Sequence, residues 1–241
     1  MTIAHVLCQN RLLRLLPEED RSRLAKGMRL IKMSKGEHLY GAGDQLETIF
    51  FPISATVSVL YELEDGVSAE VAVVGNEGFA GISRFLSCGT TLSRATVNRE
   101  GLALVLGGAM LTKELRHKGP LLQVLMRYIQ ALIMEMAQSL VCIRHHSLEQ
   151  QFCRWLLGRF DRLPSGNHDL VMSQEMIANT LGTRRNAISE VAVNLQKAGL
   201  INYRRGKISL INRPEIETRS CKCYVIVKEQ FDRLLIKSAG S

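Results

Sequence analysis

A run of polar and basic residues near residue 185 carries side chains that match the hydrogen-bonding groups on DNA base edges. Arginine can bond guanine twice, asparagine suits adenine in the same way, and glutamate can accept a hydrogen bond from cytosine. Base contacts concentrate at the N-terminal end of a DNA-reading helix. We therefore predict DNA contacts from two neighbouring segments, through Ser173, Gln174, Thr183, Arg184, Arg185, Asn186, Ser189 and Glu190.

Two short helices joined by a tight turn would position these side chains. Ser173 suits the N-cap of the first helix, because its hydroxyl can accept from an exposed backbone N–H. Gly182 is predicted to end that helix, since glycine turns sharply at low cost. Thr183 is predicted to cap the second helix, which should end at Ala198-Gly199. This pattern is a helix-turn-helix.

The next segment, 200–211, predicts a β-hairpin. Its apolar residues alternate on both sides of a basic turn, which is typical of two short paired strands. Arg204, Arg205 and Lys207 would lie at the tip, where cations can meet DNA phosphates. A plain helical pair with solvated arginines would not account for this order and spacing. We therefore predict a winged helix-turn-helix domain over residues 147–220, with double-stranded DNA as its partner.

The preceding segment, 119–146, predicts one long helix that begins near Gly119-Pro120. Apolar residues recur at heptad spacing, which is the pattern of a coiled-coil seam between two helices. We predict a homodimer interface, and the alternative is a helix that packs on its own β domain. The predicted interface residues are Leu122, Leu125, Ile129, Leu132 and Met136.

The N-terminal segment, 1–118, reads as short apolar strands separated by glycine and acidic turns such as Lys35-Gly36-Glu37. Strands of this length and spacing predict a β-sandwich or β-roll. The expected fold class is α+β, with an N-terminal jelly-roll (double-stranded β-helix) domain, a dimerisation helix and a C-terminal winged helix-turn-helix. Residues 221–241 form a predicted C-terminal extension.

Composition indicates which kind of partner and which cellular compartment to expect. The formal charge of +8 favours a polyanionic partner such as nucleic acid. No targeting signal and no stretch long and apolar enough for a bilayer is evident, so we expect a cytoplasmic protein with no membrane partner. Six cysteines lack any C-x-x-C pair. Cys221 and Cys223 are the one close pair, and the sequence favours a packing role for them over a redox or metal role.

Several motifs resemble the Crp–Fnr family of bacterial regulators. Those similar to the family's DNA-binding end lie at 172–178, 181–185 and 195–201. Those similar to its effector-binding β-roll lie at 35–40, 43–44, 75–81 and 94–97. The resemblance implies a dimeric, DNA-binding transcription regulator that is not an enzyme, with RNA polymerase as a further partner.

The resemblance also implies an effector pocket, from which this sequence departs. Members that bind cyclic nucleotides hold the ribose with Gly-Glu and the phosphate with Arg followed by Ser or Thr. Here Gly81-Ile82 and Arg94-Ala95 stand at those places, so we do not expect cyclic AMP binding. The family's oxygen-sensing members hold an iron–sulfur cluster with several N-terminal cysteines; this sequence offers Cys8 alone there, so we do not expect such a cluster. The effector stays unidentified, and its predicted pocket residues are Gly81, Ile82, Arg94, Ala95 and Thr96.

Two other classes of protein compete with this prediction. A cupin-like metalloenzyme would need clustered ligands, and His38 is the one histidine among the predicted strands between residues 30 and 105. A sensor that acts only through protein contacts would not need the basic helix or the basic hairpin. The sequence therefore favours the DNA-binding regulator, with no predicted catalytic or metal-binding residues.

Overall fold

The computed structural model describes residues 3–62, 64, 68–86, 90–164 and 169–235. The chain forms two compact units, one of Met1–Ile133 with Gln230–Ser241 and the other of Met134–Glu229. The predicted domain limits after residues 118, 146 and 220 stay predictions. Cys88 lies outside the described residues. No helix in the described ranges is long and apolar enough to cross a membrane.

The first unit contains two antiparallel sheets, as its alternating strand pattern predicts. One sheet has the order β1-β7-β3 and the other the order β2-β6-β4-β5. In the second sheet Val57 pairs with both Val97 and Val74, and all three side chains are buried. The strands are β1 Met28–Met33, β2 His38–Tyr40, β3 Thr48–Pro52, β4 Thr56–Glu62, β5 Ser68–Val74, β6 Arg94–Arg99 and β7 Gly101–Gly107.

The first unit also contains several short helices and part of one long helix. The buried side chain of Asn10 accepts from two backbone N–H groups at the start of α2, and its amide donates to the carbonyls of Pro52 and Gly78, both at 3.0 Å. These bonds attach the N-terminal helices to the β domain. The helices that begin in this unit are α1 Ile3–Leu7, α2 Arg11–Arg14, α3 Glu18–Ala25, α4 Ile82–Phe85, α5 Gly108–Arg116 and α6 Pro120–His145.

The second unit is a helical domain with a small sheet, in the strand order β8-β10-β9. Its apolar core includes Phe152, Ile177, Ile188, Leu195 and Ile208, each fully buried. Burying side chains of this size stabilises the fold by about 1.5–3 kcal/mol each. After the last turns of α6 come α7 Leu148–Asp161, β8 Asp169–Val171, α8 Gln174–Thr180, α9 Arg185–Lys197, β9 Ile201–Arg204, β10 Lys207–Leu210, α10 Arg213–Arg219 and α11 Cys223–Leu234.

The predicted α+β class is therefore confirmed: β sheets precede one long helix, and a helix-turn-helix with a small wing sheet follows it.

Candidate nucleic-acid interface

Helix α8 begins where the sequence predicts. Ser173 is its N-cap, and the Ser173 hydroxyl accepts a hydrogen bond from the backbone N–H of Met176 at 3.2 Å. The buried face of α8 carries Ile177 and Ala178, so the helix packs into the core of the second unit. Ser173 and Glu175 are exposed on the outside, and Gln174 is partly exposed.

The turn between α8 and α9 depends on one glycine. Gly182 has a φ of 60°, in the left-handed region that favours glycine. The following helix starts one residue later than predicted, because its N-cap is Arg184 and not Thr183. The carbonyl of Arg184 accepts from Ala187 at 3.0 Å and from Ile188 at 3.3 Å. Helical hydrogen bonding therefore begins there, and no side chain caps α9.

Helix α9 has one buried face and one polar face. Ile188, Ala192 and Leu195 are buried in the core, which orients the helix. The remaining early positions of α9 carry the predicted base-reading side chains. Arg184, Arg185, Asn186 and Glu190 are exposed, and Ser189 is half-buried.

Strands β9 and β10 form the predicted hairpin, with Arg204 paired to Lys207 across a two-residue turn. The turn residues Arg205 and Gly206 have φ values of 50° and 75°. Two successive positive φ angles make a type I′ turn, where asparagine and glycine are the favoured residues. Arg205 therefore occupies a backbone conformation that costs a non-glycine residue on the order of 1–2 kcal/mol.

The hairpin is attached to the helices by hydrogen bonds that the sequence did not predict. The Tyr203 hydroxyl donates to the Met172 carbonyl at 2.8 Å, and the Tyr203 backbone N–H donates to the Gln196 side chain at 2.7 Å. These bonds fix the wing beside α9. The alternating strand pattern places Tyr203 in the hairpin, but which partner it contacts depends on the fold of residues far apart in sequence.

The fold brings part of the predicted set into one concave surface. Its lining residues are Ser173, Gln174, Glu175, Arg185, Tyr203, Arg205 and Gly206. Within the described part of the chain, Arg185 and Arg205 form no side-chain hydrogen bond or ion pair, and both are exposed. Lys207 differs, because its ammonium group lies 2.8 Å from the carboxylate of Asp169.

Along α6 the five predicted interface residues separate into two groups. Leu125 and Leu132 are buried inside the protomer, at 0% and 5% exposure, which agrees with the alternative of packing on the chain itself. Leu122, Ile129 and Met136 are partly exposed. Three further apolar residues, each four positions after one of these, are exposed: Met126, Ile133 and Leu140.

The predicted effector-pocket residues lie in or beside the β domain. Gly81 has a φ of 98° and begins α4 with Ile82, which is half-buried. Next to Gly81 lies the buried side chain of Tyr40, whose hydroxyl is in contact with the Gly81 backbone; burial raises the pKa of Tyr40. Ala95 is fully buried on β6.

The two polar residues of the predicted pocket have partners inside the protein. The Arg94 guanidinium lies 3.2 Å from the carboxylate of Glu62. The Thr96 hydroxyl lies 3.2 Å from Nδ1 of His38. A ligand at these side chains would therefore compete with internal contacts.

Comparison with known proteins agrees with this geometry. Residues 150–219 match the family model of the Crp-like helix-turn-helix domain. The fold is similar to that of a CRP-family transcriptional regulator from Thermus thermophilus, at 18% identity and a TM-score of 0.65, over 79% of this chain and 96% of that one. No protein of curated function matches the chain by sequence.

Two further solved structures share the fold. FixK2 from Bradyrhizobium japonicum is 15% identical with a TM-score of 0.67, over 80% of this chain and 98% of that one. The c-di-GMP-responsive global regulator CLP from Xanthomonas campestris is 16% identical with a TM-score of 0.64, over 80% and 99%. Residues 150–219 therefore match a Crp-like helix-turn-helix domain, and the chain shares the fold of these solved regulators.

Proposed function

We propose that α9 reads base edges in the major groove through Arg185 and Asn186, while Arg204 and Arg205 on the wing bind phosphates. The observation that carries this proposal is that Arg185 and Arg205 are exposed, form no side-chain hydrogen bond or ion pair in the described ranges, and line one concave surface. A cation without an internal partner can contact DNA without breaking an ion pair. Phosphate binding then gains from release of the counterions condensed on DNA.

The start of α9 supports the same orientation. The first backbone N–H groups of a helix have no partner within the helix, and no side chain caps α9. Such N–H groups and the positive end of the helix dipole favour an anion nearby. A phosphate beside Arg184 would fix the register in which Arg185 and Asn186 meet the bases.

The decisive experiment compares matched variants on two DNAs. An operator is first obtained by selection from random sequences, and binding is then measured on it and on a scrambled duplex. Arg185→Ala should weaken operator binding by about 1–3 kcal/mol, which is roughly 5- to 150-fold, and should affect scrambled DNA far less. Arg29→Ala removes an exposed arginine from β1 and serves as the charge-matched control. Equal losses on both DNAs would contradict base reading by Arg185.

We further propose that two copies of the chain pair along α6. The exposed seam consists of residues spaced alternately by four and three, which is the heptad spacing of paired helices. Ile133 is 59% exposed and Leu140 is 72% exposed, and large apolar side chains in such a row favour an interface. Leu125 and Leu132 leave the predicted set, because their burial in the protomer makes them unavailable. The proposed seam is Leu122, Met126, Ile129, Ile133, Met136, Leu140 and Ile143.

Dimerisation is tested by sedimentation of the double variant Ile133→Asp/Leu140→Asp. Both side chains are exposed in the protomer, so the variant should fold normally and sediment as a monomer. Gln123→Asp, on another side of α6, should leave the dimer intact. A folded double variant that stays dimeric would remove this seam from the interface.

The β domain is the proposed sensor of an effector of unidentified chemistry. Cyclic AMP fits it poorly, because Ile82 offers no ribose acceptor, Ala95 offers no hydrogen bond beside Arg94, and the Gly81 backbone is already in contact with the Tyr40 hydroxyl. Unpaired polar groups of a buried ligand cost about 1–3 kcal/mol each. Contact with RNA polymerase is a further proposal that rests on the family resemblance alone.

A further inference from the structure

Three cysteines and one histidine meet within the second unit. Cys142 and His146 are one helical turn apart at the end of α6, and Cys221 and Cys223 stand on either side of Lys222 at the start of α11. The four ligand atoms, three sulfurs and one imidazole nitrogen, all lie within 4.8 Å of one another. Cysteines and a histidine from two distant segments therefore converge on one point.

Two of the six separations between these ligand atoms match the edges of a tetrahedral metal site, and all six are within 4.8 Å. Zinc bonds to sulfur at about 2.3 Å and to nitrogen at about 2.0–2.1 Å, which places neighbouring ligand atoms about 3.5–3.8 Å apart. Here Cys142 Sγ lies 3.5 Å from Cys221 Sγ, and Cys223 Sγ lies 3.6 Å from His146 Nδ1. A disulfide would need its sulfurs at about 2.05 Å, well inside the first of these distances.

The surroundings are unusual for cysteines that serve only as small apolar residues. Cys142, Cys221 and Cys223 are at most 4% exposed and form a buried cluster of their own, apart from the main core of the unit. Such a cluster of sulfurs contains no aliphatic side chain. Among the described residues, these three cysteines together with His146 are the group of cysteine, histidine and carboxylate side chains whose ligand atoms lie close enough to bind one metal ion.

Neighbouring polar groups suit sulfurs that carry negative charge. The Gln138 amide donates to Cys223 Sγ at 3.0 Å, as outer-shell donors commonly do at metal sites. Burial, together with the hydrogen bond to Cys221, raises the pKa of the Cys142 thiol to about 12, and the positive charge of Arg154 opposes this rise. A bound cation reverses the effect of burial, because it stabilises the thiolate form directly.

We propose that Cys142, His146, Cys221 and Cys223 bind one zinc ion in a closed Cys3His site. Thiolate and imidazole ligands suit zinc, and four protein ligands leave no open position for catalysis. Binding converts three thiols to thiolates and releases their three protons to solvent. The ion would connect the end of α6 to the start of α11 within the second unit. This proposal is independent of DNA reading, and Cys221 and Cys223 lie beyond the matched residues 150–219.

The sequence alone favours packing for the pair Cys221 and Cys223, because cysteine is often a small buried apolar residue. The fold changes that balance by adding Cys142 and His146. His146 directly follows α6, and its backbone N–H donates to the Cys142 carbonyl at 3.0 Å, so the last helical turn brings both side chains to one side. This spacing indicates a site only when the C-terminal pair is known to lie opposite.

The first test is the metal content of the full-length, untagged protein, purified with a reductant and without added metal. Elemental analysis should find about one zinc ion per chain, and Cys221→Ser should lower this to near zero. Cys153→Ala removes a fully buried thiol of the same unit that is not in the cluster, and should keep the zinc. Protein that carries no stoichiometric metal and takes up none from added Zn²⁺ would overturn the proposal, and an iron–sulfur absorbance would overturn the zinc assignment.

The second test keeps the proposal falsifiable if Cys221→Ser fails to fold. Co²⁺ added to chelator-treated protein should give the strong visible bands of a tetrahedral ion together with thiolate-to-cobalt charge-transfer bands, and Zn²⁺ should abolish them. His146→Ala should weaken Zn²⁺ binding at least tenfold in competition with a chelating dye, by analogy with the loss of a metal ligand's support, whereas His146→Cys should restore it. The weak spectrum of octahedral cobalt, or no rescue by His146→Cys in a folded protein, would overturn the site.

Discussion

The concave surface lined by Arg185 and Arg205 in the second unit and the predicted effector pocket of the first unit differ in whether their polar side chains have partners within the protein. Arg185 and Arg205 are exposed and have no partner in the described part of the chain. Arg94 instead pairs with Glu62, and Thr96 contacts His38. A side chain without an internal partner retains its whole hydrogen-bonding capacity for a ligand, whereas a paired one must first lose a contact.

The two regions also differ in backbone conformation at the wing and in side-chain packing at the pocket. At the wing tip Arg205 adopts a left-handed conformation that would suit glycine or asparagine better, so stability is lost at a position where an exposed cation is gained. In the first unit the Tyr40 side chain lies against Gly81 and is buried. We infer that the surface lined by Arg185 and Arg205 is prepared for a ligand, whereas a ligand at Arg94 and Thr96 must first displace internal contacts.

Among variants of the wing and the pocket, the largest expected effect comes from removing both wing arginines. Each phosphate contact contributes roughly a tenfold gain in affinity near 0.1 M salt, so Arg204→Ala/Arg205→Ala should weaken binding about 100-fold for one engaged wing. The slope of log K against log salt should fall by about two units per engaged wing. Binding to operator and scrambled duplexes across a salt series measures both. A normal slope would exclude the wing from phosphate contact.

A substitution at the strained turn residue should separate stability from binding. Arg205→Asn suits the left-handed conformation and should raise the free energy of unfolding by about 0.5–1 kcal/mol. The same change removes a cation and should weaken DNA binding roughly tenfold. Denaturant unfolding and a binding titration on one preparation test the two effects. Loss of both stability and binding would show that Arg205 supports the hairpin itself.

Lys207 should matter less than Arg205, because Asp169 already neutralises it. The ammonium and carboxylate groups are 2.8 Å apart on neighbouring strands. We expect Lys207→Ala to weaken binding only about threefold, and Asp169→Asn to strengthen it slightly by releasing the lysine. Titrations of Lys207→Ala and Arg205→Ala at the same salt concentration give the comparison. A larger loss for Lys207→Ala would reverse the assignment.

The smallest expected effect is the response of the β domain to cyclic AMP. Calorimetry on protein that binds its operator should show no micromolar site, since Ile82 and Ala95 cannot make the contacts that the family's nucleotide binders use. Operator affinity should also be the same with and without the nucleotide. A clear micromolar site would mean that Tyr40 moves aside and that other residues replace the missing acceptor.

Much of the helix-turn-helix and its hairpin can be predicted from the sequence, because these elements depend on interactions between neighbouring residues. The Ser173 cap, the left-handed Gly182 and the hairpin around Arg205-Gly206 depend on residues within a few positions of one another. Caps and tight turns depend on hydrogen bonds and backbone angles of neighbouring residues, so they can be predicted from residue types without knowing the rest of the fold. The start of α6 at Pro120 belongs to the same class.

The sequence by itself thus determined the kinds of element, their order and the polar face of α9. Tertiary structure decided which apolar row of α6 stays exposed: Leu125 and Leu132 are buried, while Ile133 and Leu140 are not. It also placed Cys142 beside Cys221, 79 residues further along the chain. Helical periodicity shows which residues share a face, but only the packing of distant segments selects the face that is covered and the side chains that meet.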